Sequence, residues 1–143
     1  MSVQPIQPGL YRIRLPGVNA FLLDSDSDGL TLVDTGVPGS ADRITDAVHS
    51  LGRDLTDIRQ ILVTHCHSDH SGSLAELKAL TSARVFMHRN DGRLVVTGQV
   101  MRRLIPSPGV LNAVLYRQTI APKPTAVAPA TTDELVDDGH EIP

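Results

Sequence analysis

Through residues 10–34 apolar and polar side chains alternate, the two-residue period of half-buried strands. Residues 10–15 (LYRIRL) alternate until Pro16 and Gly17 break the run. Residues 19–24 (NAFLLD) and 30–34 (LTLVD) flank the polar turn SDSDG, the arrangement of a hairpin. After TGVPG the period becomes helical: Ala41, Ile44, Ala47, Val48 and Leu51 fall on one face, and Gly52 supplies a stop. Residues 60–64 (QILVT) form a short apolar run of strand type that leads directly into a group of histidines. Ser73 and Glu76 have the spacing of a capping box, which predicts a helix through LAELKAL. Residues 83–88 (ARVFMH) read as another strand. Strand, helix, strand, helix, strand is the order of an α/β layer.

Beyond residue 90 the pattern weakens. Residues 92–106 (GRLVVTGQVMRRLIP) fit a helix broken at Gly98 and ended by Pro106. Residues 119–133 (TIAPKPTAVAPATTD) carry three prolines and read as an extended Pro/Ala/Thr-rich loop or lid. Residues 134–143 (ELVDDGHEIP) read as a strand and a turn, with the chain stopping where a second strand is expected. No internal repeat is visible, and 143 residues suit a single domain, 1–143, or part of a larger one.

Apolar residues make up 41% of the chain, enough for a core, but aromatics are scarce and Trp is absent, so Leu, Val, Ile and Ala must fill it. A formal charge of −3 provides no electrostatic ground for binding nucleic acid or an acidic membrane, and the pair Arg102 and Arg103 does not change that. Cys66 is the single cysteine, so no intrachain disulfide can form, as in a reducing compartment. The opening MSVQPIQPG has neither a basic nor an apolar signal region, and no apolar run reaches the about 20 residues that span a bilayer. A soluble cytoplasmic protein acting on a small-molecule substrate is the expectation.

The chemistry concentrates in THCHSDHSG, where His65, His67, Asp69 and His70 fall within six positions. In an extended segment His65 and His67 leave on the same side, while Cys66 points the other way into the interior. Neutral imidazole is the commonest metal ligand, and two on one strand end make half of a tetrahedral zinc site. Asp69 and His70 are adjacent and cannot share a face of a strand, but a turn built from Ser71, Gly72 and Ser73 can aim both at a second position. Divalent ions about 3.5–4 Å apart bring the pKa of a shared water towards neutrality and polarise a carbonyl or phosphoryl oxygen. Four ligand-type residues in so short a stretch favour that reading over solvated surface histidines.

THCHSDHSG resembles the His-x-His-x-Asp-His motif of the metallo-β-lactamase-fold superfamily, which includes glyoxalase II, RNase Z and lactonases. NAFLL, LTLVDTG, a helix and ILVTH follow that superfamily's opening order, and LVDTG is similar to its recurrent strand-ending motif. The likeness covers residues 8–90 closely and 130–143 loosely. It implies that His65 and His67 bind a first metal, that Asp69 and His70 bind a second, and that Asp34 is a buried partner of the site. Asp69 is also implied in proton transfer. The αββα sandwich of the superfamily is normally built by a longer chain of two similar halves. The later half adds a third histidine, a bridging aspartate and a last histidine. After His70 this chain offers only His88 and His140. The implied fold is therefore the N-terminal half of the sandwich, an α/β mixed sheet with helices on one face, truncated before the second half.

Other motifs carry less. DSDSDG begins like an EF-hand loop, but the twelfth position is Thr35 and the flanks are strands. LVDTGV resembles the Asp-Thr-Gly of short aspartic proteases, with Asp34 catalytic, yet a helix directly after the motif fits that fold badly. Cys66 reads as a small buried side chain, and His49, His88 and His140 as solvated histidines. Two classes of function follow. In the first, a zinc hydrolase uses metal-bound hydroxide on an ester, thioester, lactone, amide or phosphodiester, with segments 91–112 and 119–133 selecting the substrate. Zinc is expected, two ions if the site is completed, with Fe or Mn as alternatives, including a single-iron oxygenase acting on a persulfide. In the second, a half-fold or fragment without chemistry of its own needs a second chain or the missing C-terminal half to complete the metal site, with a homo-oligomer or domain-swapped dimer covering the open face.

Overall fold

Tight turns join the first strands and helical crossovers join the later ones, so chain order and spatial order coincide across one seven-stranded sheet. The computed structural model describes residues 3–100, 108–119 and 126–142. Strands β1 (Val3–Gln7), β2 (Leu10–Arg14), β3 (Asn19–Asp24) and β4 (Leu30–Val33) form an antiparallel meander. Strands β5 (Ile58–Val63), β6 (Arg84–His88) and β7 (Glu134–Val136) continue it in parallel with β4. Helix α1 (Ala41–Ser50) joins β4 to β5; α2 (Ser68–Ser71) and α3 (Leu74–Thr81) join β5 to β6; α4 (Arg89–Val95) and α5 (Val110–Thr119) lie between β6 and β7. Crossovers between parallel strands are right-handed, so a sheet that grows in one direction receives its helices on one face. This is the mixed, one-sided layer expected from the sequence.

The strand register shows how the alternation sorts. Leu22, Leu32, Ile61 and Val85 pair across β3 to β6 and lie fully buried beneath Ile44 and Val48 of α1 and Leu74 and Leu77 of α3. Each such side chain contributes about 1.5–3 kcal/mol by leaving water. One residue along, Arg12, Phe21, Val33, Leu62, Phe86 and Glu134 form a row on the opposite face. Phe21, Val33 and Leu62 are only half-buried there, and Leu23 on the same face is 41% exposed. Phe86 is buried outside the main core, with the Arg84 guanidinium 5.2 Å over its ring.

Several elements depart from the sequence reading. VQPIQ forms β1 although it contains a proline, because an edge strand tolerates a residue without an N–H. The expected capping box at α3 is not made. The Ser73 hydroxyl instead donates to the Val37 carbonyl at 2.8 Å and accepts from the Ser40 N–H at 2.8 Å. Of the turn expected from Ser71, Gly72 and Ser73, the last two form it, while Ser71 ends the one-turn helix α2. Helix α5 is an element the pattern did not reveal, and it lies exposed, with Val110 and Leu111 largely in solvent. The expected helix over 92–106 is observed only as α4, and residues 101–107 and 120–125 lie outside the described residues.

Strand β7 is three residues long, pairs along its length with β6 and is flanked by charged contacts. Asp133 accepts from the Val85 N–H at 2.8 Å and pairs with Lys78, Glu134 pairs with Arg84 at 2.7 Å, and Asp137 pairs with Arg89. Burial pushes the Asp133 carboxyl up, but the Lys78 ammonium and the Val85 N–H outweigh it and hold the group below its ordinary 3.8. Asp133→Asn keeps an acceptor for Val85 and loses the charge. It should lower stability at neutral pH by about 0.5–1 kcal/mol, modest because the pair is partly solvated. A depressed folded-state pKa stabilises above the unfolded value and ceases to do so as pH falls through the folded one. Urea midpoints of parent and variant, followed from neutral pH into acid, should therefore converge below pH 3.8.

Candidate metal centre

Two loops meet at the carboxyl ends of the adjacent parallel strands β4 and β5, and their backbones are clasped. Thr35 donates from its N–H (2.7 Å) and its hydroxyl (2.9 Å) to the His70 carbonyl, and the Gly72 N–H donates to the Gly36 carbonyl at 2.8 Å. Ser73 ties the same pair of loops through Val37 and Ser40. The approach requires glycine. A Cβ on Gly72 would lie 2.3 Å from the Ser68 carbonyl and 2.4 Å from the Pro38 nitrogen. This clasp fixes α2, and with it Asp69 and His70, against the end of β4.

Asp34 stands at the centre. It is buried, and its backbone adopts a left-handed φ of 62°, which a short polar side chain tolerates better than most. Its Oδ1 accepts from the Thr64 N–H at 2.8 Å, and the Thr64 hydroxyl reaches both carboxylate oxygens, at 3.0 and 2.9 Å. Its Oδ2 bonds Nδ1 of His70 at 2.8 Å. Nε2 of His70 then faces Asp69, 3.6 Å from Oδ2, a separation too long for a hydrogen bond. His65 stacks at a tilt on His70 with ring centroids 4.0 Å apart, and meets His67 edge-on at 4.7 Å.

Ligand atoms of His65, Asp69 and His70 all lie within 4.8 Å of one another, the single such group of acidic, histidine and cysteine side chains among the described residues. The donor set suits a divalent cation: two imidazoles and a carboxylate, partly shielded, with His70 held by a carboxylate at its other nitrogen. Burial, followed by His70 and His67, pushes His65 below the ordinary histidine range, while Asp34 and Asp69 pull it back up. The net effect favours the neutral ring, the form that ligates metal.

Sequence reasoning found every member of this group. His67, the fourth residue of the motif, stands against the His65 ring. Cys66 is buried as expected, although it lies beyond the end of β5. Thr64 was read only as the end of a strand; its hydroxyl bonds to Asp34 and His65 had no signal in the pattern. His88 is half-exposed and accepts from the Asn90 N–H at 3.3 Å, and His140 pairs with Glu134 at 2.9 Å; neither joins the cluster. The acidic loop expected to be a solvated turn is a 3₁₀ turn, Asp26–Asp28. A groove of about 520 Å³ is lined by Ala75, Lys78, Ala79, Ser82 and residues 129–131, away from the histidines. Among the described residues no helix is long and apolar enough to cross a membrane.

Residues 13–142 match the family model of the metallo-beta-lactamase superfamily. The uncharacterized protein YobT of Bacillus subtilis is 33% identical over 68% of this chain and 40% of its own length. A hydroxyacylglutathione hydrolase of Marinomonas is 41% identical over 44% of this chain and 22% of its own. The solved structure of BJP-1, a subclass B3 metallo-beta-lactamase of Bradyrhizobium japonicum, is 26% identical and superposes with a TM-score of 0.78. That superposition covers 100% of this chain and 48% of the other. The chain thus spans two fifths or less of these curated relatives and about half of the solved structure.

The clasp makes a prediction about glycine. Gly72→Ala forces a Cβ into two backbone atoms and should cost about 1–3 kcal/mol, the range for overpacked sites. Gly39→Ala meets nothing within 4 Å and should cost about 1 kcal/mol, from its positive φ alone. Chemical denaturation of the two variants beside the parent measures the difference.

Proposed function

The chain belongs to the metallo-beta-lactamase superfamily, and on that footing we propose that it carries the first ligand set of a zinc-dependent hydrolase. The observation that supports this most is the convergence of His65, Asp69 and His70, with His67 against the His65 ring. His65, His67, Asp69 and His70 are the residues that hold zinc in this reading. Bound zinc supplies Lewis acidity and brings the pKa of a water molecule towards neutrality. Asp34 keeps His70 oriented from behind. Asp69, its side chain 46% exposed at the mouth of the cluster, takes up a proton from the attacking water and returns it to the leaving atom. The substrate is a small ester, thioester, lactone, amide or phosphodiester. A single, buried cysteine suits a cytoplasmic setting.

A second reading is supported by a different observation. The half-buried row Phe21, Val33 and Leu62, with Leu23 beside it, leaves an apolar stripe on the face of the sheet opposite α1 and α3. A chain spanning about half of a similar structure needs a further layer there, from a longer polypeptide or from a second copy in a dimer. In this reading the four residues hold metal weakly until the remaining ligands arrive.

Metal analysis and activity on generic ester and phosphodiester substrates separate the two. About two zinc ions per active unit with measurable turnover is the expected outcome for a self-sufficient hydrolase. Occupancy well below about one ion with no turnover, together with a solution mass above that of a monomer, assigns the chain to the second reading. In either case His70→Ala should weaken zinc retention by at least about tenfold in a competition with a chromophoric chelator.

A further inference from the structure

We propose that Thr64 is a positioning residue of the histidine cluster: its hydroxyl passes on the hydrogen-bond direction set by the Asp34 carboxylate and holds His65 in the tautomer protonated at Nδ1. The purpose of this device rests on the metal reading above; its geometry does not. A hydroxyl carries one proton and two lone pairs. The oxygen of Thr64 lies 3.0 and 2.9 Å from the two oxygens of Asp34, and a carboxylate has no proton to offer. The hydroxyl proton therefore points to Asp34. The same oxygen lies 3.0 Å from Nδ1 of His65 and meets it with a lone pair, so the hydrogen of that bond belongs to Nδ1. The opposite direction would leave two close oxygen–oxygen contacts at the carboxylate with no proton between them.

Asp34 reaches His70 with no intermediary, Nδ1 to Oδ2 at 2.8 Å, and in the same sense. One buried carboxylate thus sets two rings, His70 directly and His65 through one hydroxyl. Both rings then present Nε2 with a free lone pair, and these two histidines belong with Asp69 to the group whose ligand atoms converge. Fixing the second nitrogen of a ligating histidine orients the ring and raises its basicity. The Thr64 N–H bond to Asp34, 2.8 Å, belongs to the backbone and survives a change of side chain, so the effect can be isolated at the hydroxyl.

The test is ring-nitrogen NMR of the metal-free 143-residue chain at about pH 8, above the ordinary histidine pKa near 6.5. Long-range nitrogen–proton correlations should report Nδ1–H for both His65 and His70 in the parent. In Thr64→Val, which keeps the shape and removes the hydroxyl, His65 should shift towards Nε2–H while His70 keeps Nδ1–H as evidence that the fold is intact. Zinc affinity, read by chelator competition, should fall about 10–100-fold, and Thr64→Ser should restore both signals. A parent His65 protonated at Nε2, or a valine variant with an unchanged tautomer, overturns the proposal. A parent that shows the tautomers but binds no zinc refutes the metal reading and leaves the relay standing.

Discussion

A carboxylate buried where two parallel strands end must have each of its oxygens satisfied, since an unpaired buried charge is among the costliest defects a fold can carry. Asp34 meets this demand with Thr64 on one loop and His70 on the next. Those partners stand 30 and 36 residues away, so the arrangement exists only when β4 and β5 pair in their observed register. The left-handed φ of Asp34 belongs to the same constraint. It turns the chain sharply enough to bring Thr35 and Gly36 onto the backbone of α2. The histidines converge because a structural requirement and a chemical one share a single side chain.

The rest of the molecule serves that meeting point. Right-handed crossovers stack α1 and α3 on one face and bring the carboxyl ends of β4, β5 and β6 to one edge, where an α/β sheet places its ligand sites. The charged contacts of Asp133, Glu134 and Asp137 fasten the short β7 to the far side of β6. The other face is finished differently. Its central stripe is apolar, its margin polar, and the Arg84 guanidinium rests on Phe86 at the boundary. That face belongs to a chain that spans about half of the solved structure it resembles.

Much of this was legible along the chain. The alternation in 10–34 predicts three strands that form within a residue or two of their expected ends, and the helical face of Ala41, Ile44, Ala47 and Val48 is the buried face of α1. Local periodicity reports these elements because each buries one side against a common core. Strand β1 escaped because its proline and glutamines carry no alternation, and pairing with a neighbour, not burial, makes it a strand. Helix α5 escaped for a related reason. It buries almost nothing, so its apolar residues form no face that a core would have selected. Ser73 misled because a hydroxyl with capping-box spacing found better partners on another loop.

By itself the sequence determined the ligand-type residues, their density at a strand end and the α/β order that presents them. These are properties of composition and short-range period, and they survive any tertiary arrangement. The burial of Asp34 beside them was implied only by the likeness to the superfamily. Only the tertiary structure decided which ligand-type side chains approach one another, that Asp34 grips His70, and that Thr64 stands between Asp34 and His65. The reason is geometric. Those contacts depend on the register between two parallel strands and on a backbone clasp that admits no Cβ at Gly72, and neither leaves a periodic trace in a single chain.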